Sequence, residues 1–144
     1  MASRPNTLTI LSLQYHTAPD ERGGAWGLTW EVNKHLVRRG HAVFCITCKP
    51  VDALPASEVL EGVRFERIRV SASKNFFHLW RAVRRRIHRL LEETDIDLVH
   101  IHNPLIGFFA VLNKRLRNVP KVYHFHSSWV DEERVNRLAA AEEP

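Results

Sequence analysis

Residues 7–48 read TLTILSLQYHTAPDERGGAWGLTWEVNKHLVRRGHAVFCITC, and the alternation inside that stretch decides the fold. Residues 7–15 (TLTILSLQY) predict a strand that begins apolar on both faces, as a central parallel strand does. A polar loop containing glycine follows, over 16–24. Across 25–39, Leu28, Val32 and Leu36 recur four apart, with Trp26, Trp30 and Val37 beside them, which is the period of a helix. Gly40, directly behind Arg38 and Arg39, is a helix-stop signal. Residues 41–48 predict a second strand. Strand, helix and strand at these lengths form a β-α-β unit with parallel strands.

Outward from that unit, Pro50, Pro55 and Gly62 mark a loop. Residues 63–70 (VRFERIRV) alternate apolar and charged, which predicts an edge strand with one wet face. Ser73 or Asn75 can cap a helix over 76–93, with Phe76, Trp80, Val83, Ile87 and Leu90 as its apolar stripe. Residues 97–102 (DLVHIH) predict a short strand. Pro104 suits the first position of a helix whose stripe is Leu105, Phe109, Leu112 and Leu116, stopped by Asn118 and Pro120. Residues 121–128 (KVYHFHSS) predict a fifth strand, and 129–141 a helical tail. The class is α/β: a Rossmann-like, doubly wound parallel sheet in the order 3-2-1-4-5, with helices on both faces.

The chain has 144 residues, 44% hydrophobic and 26% charged, which is one globular domain at roughly 100–200 residues per domain. Lys and Arg number 21 against 16 Asp and Glu, a net charge of +5, with an isoelectric point near 9.7. That balance suits an acidic partner such as a phosphorylated ligand, an anionic membrane or a nucleic acid. Two cysteines exclude a disulfide scaffold. Cys45 and Cys48 lie in a β-branched run with no helix start behind them, so they read as buried thiols of a reduced, cytosolic protein. MASRPNT lacks the plan of a signal peptide, and no apolar run approaches the ~20 residues that cross a bilayer.

A doubly wound sheet binds ligands beyond the carboxyl ends of its strands, where the strand order reverses. That places the crevice at the loops 16–24 and 102–107, with 124–128 alongside. Gly23-Gly24 before a helix offers backbone N–H groups to an anion, or is only a flexible turn. It is neither a dinucleotide fingerprint, since the glycines come late, nor a P-loop, since Gly-Lys-Ser/Thr is missing. His100 and His102, and His124 and His126, are spaced to share one face of a strand. Such pairs can ligate zinc, but no Asp, Glu or Cys completes a set, and no metal is expected. His100 and His124 are expected to pack in the core, and His102 and His126 to reach the crevice, where imidazole can bond a hydroxyl or a phosphate. On the helix over 76–93, Arg81, Arg84, Arg85, Arg86 and Arg89 surround the apolar stripe. They form a solvated basic face or a membrane-touching one. No nucleic-acid module is present and no nucleic-acid partner is expected.

These residues resemble the N-terminal domain of GT-B glycosyltransferases of the retaining family 4. That group follows its first strand with a Gly-Gly loop and helix, here Gly23-Gly24, and then an Arg-Gly-His turn, here Arg39-Gly40-His41. Its fourth strand reads Asp, two apolar residues, His-x-His, a polar residue and Pro, here from Asp97 to His100, His102, Asn103 and Pro104. Its fifth strand ends in an aromatic residue, His and a small residue, here Phe125, His126 and Ser127, with Trp129 soon after. The resemblance spans about residues 8–135 and implies a transferase that moves a sugar from a nucleotide-sugar to an acceptor with retention.

It further implies that His126 contacts the transferring sugar as the catalytic candidate. His16, Gly23, Gly24, His102, Asn103 and Ser127 would bind substrate, and Arg81, Arg84 and Arg85 would meet a membrane surface. No cofactor is implied beyond the nucleotide-sugar co-substrate, and the acceptor is a sugar or a lipid. The family's second, donor-binding domain has no counterpart in these residues. The expectation is therefore a shortened N-terminal half that is inactive alone and needs the C-terminal domain or a partner chain. Its expected location is cytoplasmic, with peripheral contact at the inner face of the membrane. Two other readings stand beside it: a non-catalytic binding or self-associating module of the same fold, and an unrelated nucleotide-binding α/β protein.

Overall fold

A computed structural model describes residues 7–69 and 75–126. The elements are β1 (Thr9–Leu13), α1 (Gly24–Arg38), β2 (Ala42–Cys48), β3 (Ser57–Leu60) and β4 (Val63–Ile68), then α2 (Phe76–Glu93), β5 (Leu98–Ile101), α3 (Pro104–Val111) and β6 (Lys121–Tyr123). They build one sheet in the order β3-β4-β2-β1-β5-β6. Every pairing is parallel except β3 with β4. Without β3 the order is the doubly wound one that the sequence predicts, with β1 at the centre. The helical tail expected over 129–141 and the Ser73 cap lie outside the described residues.

Side-chain alternation on the strands sorts the core into two halves. Ile10, Val43, Cys45, Val63 and Phe65 point to one face and pack with Trp30 of α1. Leu11, Leu13, Ile46, Cys48, Ile68, Val99 and Ile101 point to the other and meet α2 and α3. Both faces of the sheet are thus covered, as parallel strands require. Gly40 ends α1 with φ +91°, a left-handed conformation that glycine adopts without cost, and its N–H bonds the Val37 carbonyl. Asn75 caps α2 by accepting from the Phe77 N–H. Both cysteines are free and buried. Among the described residues no helix is long and apolar enough to cross a membrane.

Several local expectations need correction. β4 is an interior strand, because β3 pairs antiparallel with its outer side. Two of its three charged residues are not on a wet face: Glu66 and Arg67 are 2% and 1% exposed. Glu66 accepts from Ser57, Arg64 and Arg86, and Arg67 pairs with Asp20 and Glu58. Buried charges persist when paired and hydrogen-bonded in this way. The helices are also rotated from their expected faces. α1 buries Thr29, Trp30 and Asn33 and leaves Leu28 exposed. α2 buries Leu79 in place of Phe76. α3 stops at Val111, followed by a 3-10 turn at Lys114–Leu116. Its inward residues are Ile106, Phe109 and Ala110, while Leu105 and Leu112 face out. In a core apolar all round the docking surface chooses the stripe, and α3 is nearly all apolar.

Candidate functional site

The parallel strands β1, β5 and β6 deliver their carboxyl ends to one edge of the sheet, and the first loop, the turn into α3 and residues 124–126 meet there. His102 follows β5, and its N–H bonds the carbonyl of Leu13 at the end of β1. His124 follows β6, and its N–H bonds the Ile101 carbonyl. Ser12 pairs with His100 across the strands, so His100 and His102 share the α1 face of the sheet. On that face four imidazoles form a cluster. The ring centroids of His100 and His102 are 4.0 Å apart, and those of His124 and His126 are 4.4 Å apart and nearly parallel. His102 Nδ1 lies 3.0 Å from His126 Nε2.

Burial within the cluster runs against the expected order. His102, expected at the crevice, is the deepest at 4% exposed. His100 and His124, expected in the core, are half-buried. Depth here is set by neighbours: His102 lies between the end of β1 and His126, whereas His124 follows the outermost strand. Burial pushes the His102 imidazole down to about 2, with the neighbouring histidines adding to the shift. His100 is pushed down to about 4, again chiefly by burial. Both are neutral near pH 7. Each then keeps one nitrogen lone pair, available to a hydroxyl, a proton or a metal.

The first loop is held rather than loose. Thr17 Oγ1 donates to the Trp26 carbonyl, and Asp20 joins the loop to Arg67 of β4 through two hydrogen bonds of 2.5 and 2.8 Å. His16 stacks edge-on between Tyr15 and Trp26, with Nδ1 3.3 Å from the Cys48 carbonyl. Gly24 opens α1 with open space where a Cβ would stand, while a Cβ on Gly23 would come within 2.8 Å of the Trp26 ring. Both glycines are exposed, so the first N–H groups of α1 are accessible. Asn103 caps α3, its Oδ1 accepting from the N–H groups of Leu105 and Ile106. Its carbonyl is therefore committed to the helix.

The structure thus gathers His102, Asn103 and His126 at one edge, beside the loop that carries His16, Gly23 and Gly24. Ser127 lies outside the described residues. Arg81, Arg84 and Arg85 stand apart on the outer face of α2, where with Trp80, His88 and Arg89 they line an open basic depression. Arg86 does not join them; it turns inward to Glu66 and the Arg67 carbonyl. Sequence reasoning missed the Asp20–Arg67 tie, since nothing in either segment signals a pairing 47 residues apart. It also missed that His124 completes a group with His100 and His102, although the matching His-x-His spacings of two neighbouring strands carried that signal.

The family model for Glycosyltransferase Family 4 matches residues 22–143. Among solved structures, a sucrose-phosphate synthase from Thermosynechococcus elongatus is similar, with a TM-score of 0.71 at 18% identity. The alignment covers 88% of this chain and 35% of that one, so the chain spans about a third of its length. No curated protein matches the sequence. At that identity the structural likeness speaks for the fold, a Rossmann-like half of a GT-B architecture. The family match covers most of the chain: the protein belongs to Glycosyltransferase Family 4.

Proposed function

We propose that this chain is the acceptor-side domain of a retaining transferase that passes a sugar from a nucleotide-sugar to a sugar or lipid acceptor. The observation that supports the reading is the His102–His126 pair at the carboxyl edge of the sheet, beside the accessible glycine start of α1. In this role His126 contacts the transferring sugar. The backbone at Gly23 and Gly24 offers N–H groups to a donor phosphate or an acceptor anion. His16, His102, Asn103 and Ser127 complete the acceptor wall, Asn103 by fixing the start of α3. The nucleotide-sugar is a co-substrate, and no other cofactor takes part in the transfer.

Stabilising the leaving diphosphate requires positive groups aimed at it. A donor-binding domain or partner chain would supply them, in keeping with the third of the sucrose-phosphate synthase that this chain spans. The outer face of α2, with Arg81, Arg84 and Arg85, would hold the domain against an anionic membrane at the cytoplasmic side. The test uses the enzyme with both halves present, assayed for nucleoside diphosphate release from a panel of nucleotide-sugars. His126→Ala is expected to lower turnover by tens to hundreds of fold, the scale of a positioned polar group. An unchanged rate removes His126 from the reacting centre.

A further inference from the structure

The four histidines hold more chemistry than one sugar contact needs. His100 and His102 lie two apart on β5 and share a face; His124 continues the parallel neighbour β6 beside them. One nitrogen from each of these three lies within 4.8 Å of the other two. We propose that His100, His102 and His124 form a binding site for one divalent transition-metal ion of the zinc class, with a fourth position left open.

The donor set fits that ion and few others. Three imidazoles and no carboxylate favour zinc, copper or nickel over the oxygen-seeking calcium and magnesium. Zinc to nitrogen is about 2.0–2.1 Å, so ligand atoms in a tetrahedral site stand about 3.3 Å apart. The spacing of up to 4.8 Å closes to that by rotation of side chains, among them the half-buried His124 just past β6. Ligation needs neutral imidazole.

His102 supplies the sharpest indication. Its Nδ1 meets His126 Nε2 at 3.0 Å, while its Nε2 is buried with no hydrogen-bond partner among the described residues. A buried polar nitrogen left so is costly unless something binds it. With the proton on Nδ1 donated to His126, the Nε2 lone pair is left to ligate. A metal ligand whose other ring nitrogen donates to a fixed acceptor is the usual arrangement of metal-bound histidine. His126 is then the outer partner that sets the His102 tautomer. The expectation of no metal rested on the lack of an Asp, Glu or Cys beside either histidine pair, and three imidazoles need none.

The test is metal uptake by the purified full chain, stripped with chelator and then titrated with Zn2+ against a chromophoric chelator. One equivalent is expected, with the visible ligand-field bands of tetrahedral Co2+ when cobalt replaces zinc. His124→Ala is expected to weaken binding at least tenfold and abolish the cobalt bands. His126→Ala is expected to weaken binding about 10–100-fold, as outer partners do. His88→Ala, on α2, should change neither. Circular dichroism checks that each variant is folded. If His124→Ala is unfolded, the cobalt-shifted imidazole N–H resonances of the wild type decide, with three expected and fewer overturning the site. No bound equivalent, binding unaffected by His124→Ala, or a thiolate-to-cobalt band would each overturn it. None of these readouts needs sugar transfer, so the site and the proposed activity fail or stand separately.

Discussion

Gly107 is packed so tightly against β5 that a Cβ there would lie 2.3 Å from Ile101 Cγ2. Alanine gains up to about 1 kcal/mol over glycine inside a helix. Overpacking of about 1–3 kcal/mol should outweigh that gain, so Gly107→Ala is expected to lower the urea midpoint. Ile101 is buried, so Ile101→Ala costs about 2–5 kcal/mol by itself, and the double variant is expected to lose less than the sum of the two single losses. A neutral Gly107→Ala would mean that α3 can lift off β5 freely. The buried imidazoles make a second expectation, in pH. The folded state holds His102 at about 2 and His100 at about 4, against about 6.5 for an unfolded histidine. The unfolded chain therefore binds more protons below pH 6.5. Stability is full above that pH and falls as pH drops from 6.5 towards 4, on the order of 1–3 kcal/mol between pH 7 and pH 5. Urea midpoints of the chelator-stripped chain across that range measure it, and His102→Asn should flatten the slope; an unchanged slope would place the acid loss elsewhere. The shared face of each histidine pair was legible in the His-x-His spacing alone. Which histidine is deepest was not, because depth depends on the strand that arrives beside it, and sequence spacing along one strand says nothing of its neighbour.

β3 shows where element-scale reading stops. The order of the five parallel strands followed from the β-α-β alternation and the right-handed crossover rule. The extra strand Ser57–Leu60 did not, because its hairpin lacks the usual signal. Leu60 pairs with Val63, leaving a two-residue turn with Glu61 at φ 46° and Gly62 at φ 82°. Both turn residues are left-handed, which hairpin loops normally advertise with Asn-Gly or Asp-Gly. Glu61 carries the strain instead, offset weakly by long contacts with the half-buried Lys34 and the exposed Arg38 at 3.9 and 3.5 Å. Glu61→Asn is therefore expected to stabilise the fold by a few tenths of a kcal/mol up to about 1, the scale of matching a residue to its backbone. A raised melting temperature checks it, and a fall would show that the two ion pairs outweigh the turn. The same hairpin explains the misreading of β4. Alternating charges on VRFERI imitate a wet face, but β3 covers the strand's outer side, and Ser57, Arg64 and Arg86 converge on Glu66. Alternation reports two different faces; it does not report that both are buried.

At the scale of the whole molecule the net charge of +5 is distributed unevenly in its effects. Arg64, Arg67 and Arg86 are consumed by ion pairs with Glu66, Glu93, Asp20 and Glu58. The outer face of α2 keeps Arg81, Arg84, Arg85 and Arg89 exposed, with Arg84 stacked 5.7 Å from the Trp80 ring. A patch of this kind, rather than the total charge, is what an anionic bilayer would meet, at about 1 kcal/mol per basic side chain near the surface. The two explanations separate by charge reversal at different places. Arg84→Glu/Arg85→Glu and Lys114→Glu/Arg117→Glu each remove four units of charge, two per substitution, taking +5 to +1. Lys114 and Arg117 are also exposed but lie in and beside the 3-10 turn after α3. In co-sedimentation with vesicles containing anionic lipid, the α2 pair is expected to lower the bound fraction by tenfold or more in partition coefficient, since two attractions of about 1 kcal/mol each become repulsions. The second pair should have a much smaller effect, and binding by the wild type should weaken as added salt shortens the Debye length from ~10 Å at 0.1 M. Equal losses in both variants would assign the attraction to net charge alone. No loss in the α2 variant would remove α2 as the membrane face.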